Sequence, residues 1–114
     1  MSDCIFCKIA TGEIKTEFIY EDKDIVAFKD INPQAPVHII IIPRKHIPTL
    51  NDLQPQENEL AGKMITIGIK IAKKYKELEN GYRLVLNCKK NGGQEIFHIH
   101  LHLLGGRRMQ WPPG

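Results

Sequence analysis

The chain reads as an α+β domain: a five-stranded, largely antiparallel sheet with one long helix and a short N-terminal helix. Three observations predict this. Short β-branched and aromatic runs are set apart by turn residues, one stretch repeats apolar residues at helical spacing, and a late segment alternates histidine with large apolar side chains. At 114 residues the chain has the length of one domain, read as spanning 1–114.

Ile5 to Ala10 is a short apolar stretch that Thr11-Gly12 brings to a stop, which predicts one or two helical turns. Phe18-Ile19-Tyr20 and Ile25-Val26-Ala27-Phe28 flank the polar Glu21-Asp22-Lys23-Asp24 and predict a hairpin. A third strand runs from Val37 to Ile42 after Asp30-Ile-Asn-Pro-Gln-Ala-Pro36, a loop stiffened by two prolines. From Gln56 to Leu78, Leu60, Met64, Ile67, Ile71, Tyr75 and Leu78 recur on one helical face, and Asn80-Gly81 closes it. A second ridge of Ala61, Ile65, Gly68, Ile69 and Ala72 makes the apolar surface wider than one sheet needs. Mid-helix Gly68, costing about 1 kcal/mol against alanine, suggests a second backbone packed there, so the expectation is a homodimer with helix on helix. Tyr82 to Asn87 and Ile96 to Leu104 complete the sheet.

The net charge of +3 is small and dispersed, so neither nucleic acid nor a membrane surface is expected as a partner. The longest apolar run is Ile39 to Ile42, far short of the roughly 18 residues of a spanning helix, and Met-Ser-Asp-Cys lacks the features of a secretory leader. The expected location is the cytoplasm.

Alternation along Phe97-His98-Ile99-His100-Leu101-His102-Leu103 puts the three histidines on one strand face and the apolar residues on the other. One such histidine is ordinarily a hydrogen-bonded structural residue; three in register point to chemistry. His98 and His102 are about 13 Å apart along an ideal strand, too far to share one ion. The rail therefore divides its labour with the remaining histidines, His38 and His46. Cys4, Cys7, His46 and His98 form a Cys2His2 set suited to structural zinc, against the alternative of two reduced, partly buried thiols. Cys88 is read as a packing residue on a strand. His100, His102 and His38 lie near Gly92-Gly93-Gln94, where glycines admit an anion to backbone N–H groups and imidazoles can attack phosphorus or pass a proton. By itself Gly92-Gly93 would be a hairpin turn.

The motifs Cys-Ile-Phe-Cys-Lys-Ile at 4–9, Asp-Ile-Asn-Pro-Gln-Ala-Pro at 30–36, Ile-Pro-Arg-Lys-His at 42–46, Gly-Gly-Gln-Glu-Ile-Phe-His-Ile-His-Leu-His-Leu-Leu at 92–104 and Trp-Pro-Pro-Gly at 111–114 resemble the histidine triad (HIT) superfamily, and within it the Hint branch of purine nucleoside phosphoramidases. The resemblance runs from Cys4 to Gly114. It implies that His100 attacks the phosphorus of a nucleoside 5′-phosphoramidate to form a nucleotidyl-histidine that water hydrolyses. It also implies that His102 assists the leaving amine, that His38 orients and relays protons for the nucleophile, and that Asp30 accepts the ribose hydroxyls. Ile5, Phe6, Ile9, Phe28 and Ile31 would hold the purine, with Asn87, Gly93 and Gln94 near ribose and phosphate. The same resemblance implies zinc on Cys4, Cys7, His46 and His98. It further implies a homodimer through helix and strand, with Trp111 reaching the partner's pocket. Glu95 stands where animal Hint proteins carry a serine, and its charge opposes a phosphate unless turned away or paired. Lys29, beside the base pocket, is a second variable position. The alternatives are a dinucleoside polyphosphate hydrolase of the same superfamily, a catalytic zinc on His100, His102 and His38, and a nucleotide-binding or interaction module with incidental turnover.

Overall fold

The isoleucine-rich third strand has no polar face to offer water, so it demands a layer on each side. The computed structural model describes residues 3–114 and supplies both layers. The elements are α1 (Ile5–Thr11), β1 (Tyr20–Glu21), β2 (Ile25–Lys29), β3 (Val37–Pro43), α2 (Asn58–Ala72), β4 (Tyr82–Leu86), α3 (Lys89–Gly92) and β5 (Leu101–Gly105), with single 3-10 turns at Leu50–Asp52, Pro55–Glu57 and Lys76–Leu78. The five strands form one antiparallel sheet in the order β1-β2-β3-β5-β4.

Alternation assigns the two faces. Ile25 and Ala27, Val37, Ile39 and Ile41, and Leu101 and Leu103 point to one side, where Met64, Ile67 and Ile71 of α2 complete the main core. Each of those helix side chains stabilises the fold by about 2 kcal/mol through burial. Val26, Phe28, Ile40 and Ile42 point the other way and meet Phe6, Ile9 and Ala10 of α1. His38 and His102 share that second face, because Ile40 pairs with His102 and His38 with Leu104 in the β3–β5 register.

Both ends of α1 are held. The Cys4 sulfur accepts the Cys7 N–H at its start, and Gly12 takes a left-handed φ of 85° at its end. Arg44 binds the carbonyls of Ala10 at 2.6 Å and Asp22 at 2.9 Å, tying the helix to the β1–β2 turn. Within that turn Asp22 accepts the N–H groups of Asp24 and Ile25 and the Tyr20 hydroxyl, and it pairs with Lys63 of α2 at 3.0 Å.

Five expectations need correction. The long helix ends at Ala72 rather than Leu78; Tyr75 and Leu78 belong to a following turn that packs on the same core and so imitates helical spacing. Gly68 and Ala72 are buried against the sheet, and a Cβ on Gly68 would lie 3.2 Å from Ile41 Cδ1, so the close approach that glycine allows is to the sheet. The last strand starts at Leu101, not Ile96, because the His98 N–H bonds back to the Ile96 carbonyl and breaks the extended run. Phe97 is accordingly 48% exposed instead of buried. Cys88 is not on a strand: β4 stops at Leu86, and Cys88 precedes the unforeseen one-turn helix α3.

Candidate functional site

Four donor atoms converge where α1 starts. Cys4 Sγ lies 3.3 Å from His98 Nδ1, Cys7 Sγ is 3.3 Å from His46 Nδ1 and 3.6 Å from His98 Nδ1, and the two Nδ1 atoms are 3.3 Å apart. Metal–nitrogen bonds of about 2.0 Å and metal–sulfur bonds of about 2.3 Å put tetrahedral ligands roughly 3.3 to 3.6 Å apart, so these edges fit one ion. The tautomer fits as well. His98 Nε2 donates to the Pro43 carbonyl at 2.8 Å, which leaves the lone pair on Nδ1, the atom facing the sulfurs. Burial, then the neighbouring Cys4 sulfur, pushes the Cys7 thiol up, and a divalent cation would supply the charge that lets both sulfurs ionise. Cys4, Cys7, His46 and His98 could therefore hold a metal.

Two residues past His98, His100 is buried under α1, with the Phe6 ring edge-on at a centroid distance of 5.1 Å. Its Nδ1 donates to the His98 carbonyl at 2.8 Å. The proton is thereby assigned to Nδ1, and the Nε2 lone pair is left free. His102 is arranged the opposite way. The Gln34 N–H donates to His38 Nδ1 at 3.0 Å, so His38 carries its proton on Nε2 and donates it to His102 Nδ1 at 2.9 Å. His102 then has its own proton on Nε2. Asp30 Oδ2 lies 3.4 Å from His38 Nε2.

Electrostatics keep these rings neutral. Burial holds His38, His98 and His100 below the usual imidazole range, against the pull of Asp30 on His38 and His100. Burial, followed by the neighbouring His100 and His38, takes His102 down to about 4. The exposed Glu95 carboxylate also acts on His100, pulling its pKa upward. At neutral pH the pair thus presents one imidazole with a bare nitrogen and one with a proton to give, which suits attack followed by departure.

The Asp30, His38 and His102 atoms also lie close enough together to surround an ion, but their bonding is that of a relay. A separation of 2.9 Å is a hydrogen bond, and a metal on His38 Nε2 would need an imidazole stripped of both protons while Nδ1 still accepted from Gln34. Through this relay His38 meets His102, which in turn lies beside His100 at a ring-centroid distance of 4.9 Å.

The remaining expected residues divide. Phe6, Ile9 and Phe28 are buried in one cluster beside His100, whereas Ile5 is 44% and Ile31 100% exposed. Asp30 Oδ1 accepts the Asn32 N–H, leaving further lone pairs for a ligand. The Gln94 side chain is committed to the fold: Oε1 accepts the Lys89 N–H, and Nε2 donates to the Pro48 and Ile96 carbonyls, so its amide holds α3 in place. Gly93 closes α3 at φ 82°, Asn87 is half-buried just before it, and Trp111 is 81% exposed. Sequence reasoning missed the Gln34 N–H, a backbone group no residue type announces.

A model of the HIT domain matches residues 11–109. A purine nucleoside phosphoramidase of Escherichia coli strain K12 is 50% identical over 105 residues, covering 92% of this chain and 88% of that one. The crystal structure of a HIT family hydrolase from Legionella pneumophila Philadelphia 1 superposes with a TM-score of 0.95 at 54% identity, covering 98% of this chain and all of the other. A zinc-bound histidine triad family protein from Mycobacterium smegmatis gives a TM-score of 0.83 at 33% identity, over 93% of this chain and 76% of its own.

Proposed function

The chain belongs to the HIT domain family, and on that premise we propose that it is a hydrolase cleaving the P–N bond of purine nucleoside 5′-phosphoramidates. The observation that carries the reading is the opposed tautomers of His100 and His102. His100 Nε2 attacks the phosphorus, the P–N bond breaks, and His102 Nε2–H protonates the departing amine, leaving a nucleotidyl group on His100. Water then attacks that phosphorus, giving its proton to His102, and nucleoside monophosphate leaves with His100 restored. His38 and Asp30 hold His102 in the donating tautomer and spread the charge that arises when it shuttles a proton.

Phe6, Ile9 and Phe28 form the apolar wall for the purine, and bound nucleotide covers Ile5 and Ile31, which otherwise face water. Asp30 takes the ribose hydroxyls, and the backbone around Gly93 and Gln94, with Asn87, meets the phosphate. Cys4, Cys7, His46 and His98 would hold a structural zinc, which would tie the start of α1 to the His46 and His98 segments; the relative from Mycobacterium smegmatis is described as zinc-bound. The working unit is a cytoplasmic homodimer of single 1–114 domains. Its contact uses Ala61, Ile65 and Ile69 on the outer side of α2 and the edge strand β4, where Tyr82 and Leu86 are 38% and 37% exposed. The Trp111 tail extends toward the partner. Among the described residues no helix is long and apolar enough to cross a membrane.

The test is hydrolysis of adenosine 5′-phosphoramidate by wild-type protein, before and after chelation, and by His100→Ala. Turnover that survives chelation and drops by at least 10³-fold in the variant is expected. Near wild-type rates in His100→Ala would defeat the mechanism. Faster cleavage of diadenosine tetraphosphate than of the phosphoramidate would assign the site to polyphosphates, and tight monophosphate binding without any turnover would make the protein a binding module.

A further inference from the structure

The Asp30–Pro36 loop does more than carry Asp30: its Gln34 N–H donates to His38 Nδ1 and, with Asp30 Oδ2 3.4 Å from Nε2, places the ring proton on Nε2. A neutral imidazole has one proton, and a donor at Nδ1 forces it to Nε2, where it meets His102. If that amide moved away, His38 could take the other tautomer, and His102 Nδ1 would lose its donor and with it the reason to carry its own proton on Nε2.

What holds the amide in place comes from the far end of the sheet. Val37 pairs with Gly105 as the last rung between β3 and β5, and the contact continues beyond the strands. Arg107 Nη2 donates to the Gln34 carbonyl at 3.0 Å. Gly106, at φ 94°, packs so closely on the loop that an added Cβ would lie 2.8 Å from Pro36 Cβ. The loop is braced internally by Asn32 N–H on Asp30 Oδ1 and Gln34 Nε2 on the Asn32 carbonyl, so displacement at Pro36 or Gln34 is passed along it.

We propose that Gly106 and Arg107 are positioning residues: by gripping Pro36 and the Gln34 carbonyl they fix the Gln34 amide on His38 and thereby set the tautomer of the His38–His102 relay. The inference rests on the phosphoramidase reading for its consequence in turnover, but the tautomer itself is independent of that reading. Neither residue hydrogen-bonds to His38 or His102, and the effect runs through the backbone of Gln34, from its carbonyl, held by Arg107, to its N–H on His38.

The test combines two variants, Arg107→Ala and Gly106→Ala, with long-range proton–nitrogen correlation spectra of protein carrying ¹⁵N-labelled histidine. In wild type the His38 ring is expected as Nε2–H, and in each variant as a mixture of tautomers. Turnover of adenosine 5′-phosphoramidate falls about fivefold in kcat, the scale of one hydrogen bond, with KM within twofold. Arg107→Lys, which keeps a donor, restores most of both. A merely structural role would lower melting temperature without moving the ring nitrogens. Wild-type His38 found as Nδ1–H would overturn the proposal, as would unchanged tautomers with kcat within twofold of wild type in both alanine variants. Should wild type turn over no phosphoramidate at all, the catalytic reading falls while the nitrogen spectra still decide whether Gly106 and Arg107 set the His38 tautomer.

Discussion

Lowering the pH from 7 to 5 should unfold this protein more easily, and His102 carries a defined share of that loss. In the folded state burial, then His100 and His38, hold its pKa down to about 4, against an ordinary 6.5. The folded pKa lies below the unfolded one, so between pH 6.5 and 4 the unfolded chain binds the extra proton. Stability is therefore full above pH 6.5 and declines as pH falls through that window. Integrating proton uptake over pH 7 to 5, the unfolded chain gains most of a proton at this position and the folded protein about a tenth. The result is about 2 kcal/mol for His102 alone. Urea unfolding of wild type and His102→Asn at both pH values, at equal protein and zinc concentrations, isolates it. The wild type should lose about 2 kcal/mol more than the variant on acidification. Equal losses within about 0.5 kcal/mol would refute the argument that a neutral, buried His102 is what the fold enforces.

Two further predictions concern packing and proton donation. Gly62 and Gly68 both sit inside α2, but a Cβ at Gly62 meets nothing within 4 Å while one at Gly68 meets Ile41, Leu101 and Leu84 at 3.2 to 3.4 Å. Gly62→Ala should gain about 1 kcal/mol in denaturant unfolding, and Gly68→Ala should be neutral or lose up to about 2 kcal/mol; the reverse order would sink the placement of Gly68 against the sheet. His102→Ala should cost about 10² to 10⁴ in turnover of alkylamine phosphoramidates, which need a proton on the leaving nitrogen. With a p-nitrophenyl ester of the same nucleotide the loss should be less than tenfold, and equal losses on both substrates would remove the acid role.

The strands were legible because β-branched runs bounded by turn residues are what a sheet with two covered faces requires. Val37 to Pro43 differs from its expected span by one residue. Where periodicity misled, other geometry satisfied the same pattern. Tyr75 and Leu78 continue the helical spacing past Ala72 because the following turn sets them on the same core. His98 and His100 alternate as strand residues do, yet Ile99 N–H bonds to the Ile47 carbonyl and His98 N–H to Ile96, so only His102 joins the sheet. The Cys4, Cys7, His46 and His98 donors could be grouped from the Cys-x-x-Cys spacing and from the length of the histidine rail, which keeps His98 and His102 from sharing one ion. The relay was less legible. His38 was recognised as a site residue, but its partner and its proton depend on a peptide N–H four residues earlier, and peptide groups leave no mark in a sequence. Likewise α3, Lys-Lys-Asn-Gly, has no apolar rhythm to reveal it and exists because the Gln94 amide caps it.

The start of α1 has a bearing on how the molecule comes apart. A helix of seven residues is too short to persist in water unaided, its first turn holds no acidic side chain, and its cap is a sulfur from the same four-ligand cluster. The element roofing His100 is thus among the weakest local structures in the molecule, while the sheet beneath it is among the strongest. Oxidation of the Cys4 thiol would remove that cap, fray this roof and leave the five strands standing. Oxidised protein would pass first through a state with an intact sheet and without the apolar cover of Phe6, Ile9 and Ala10, before it unfolded as a whole.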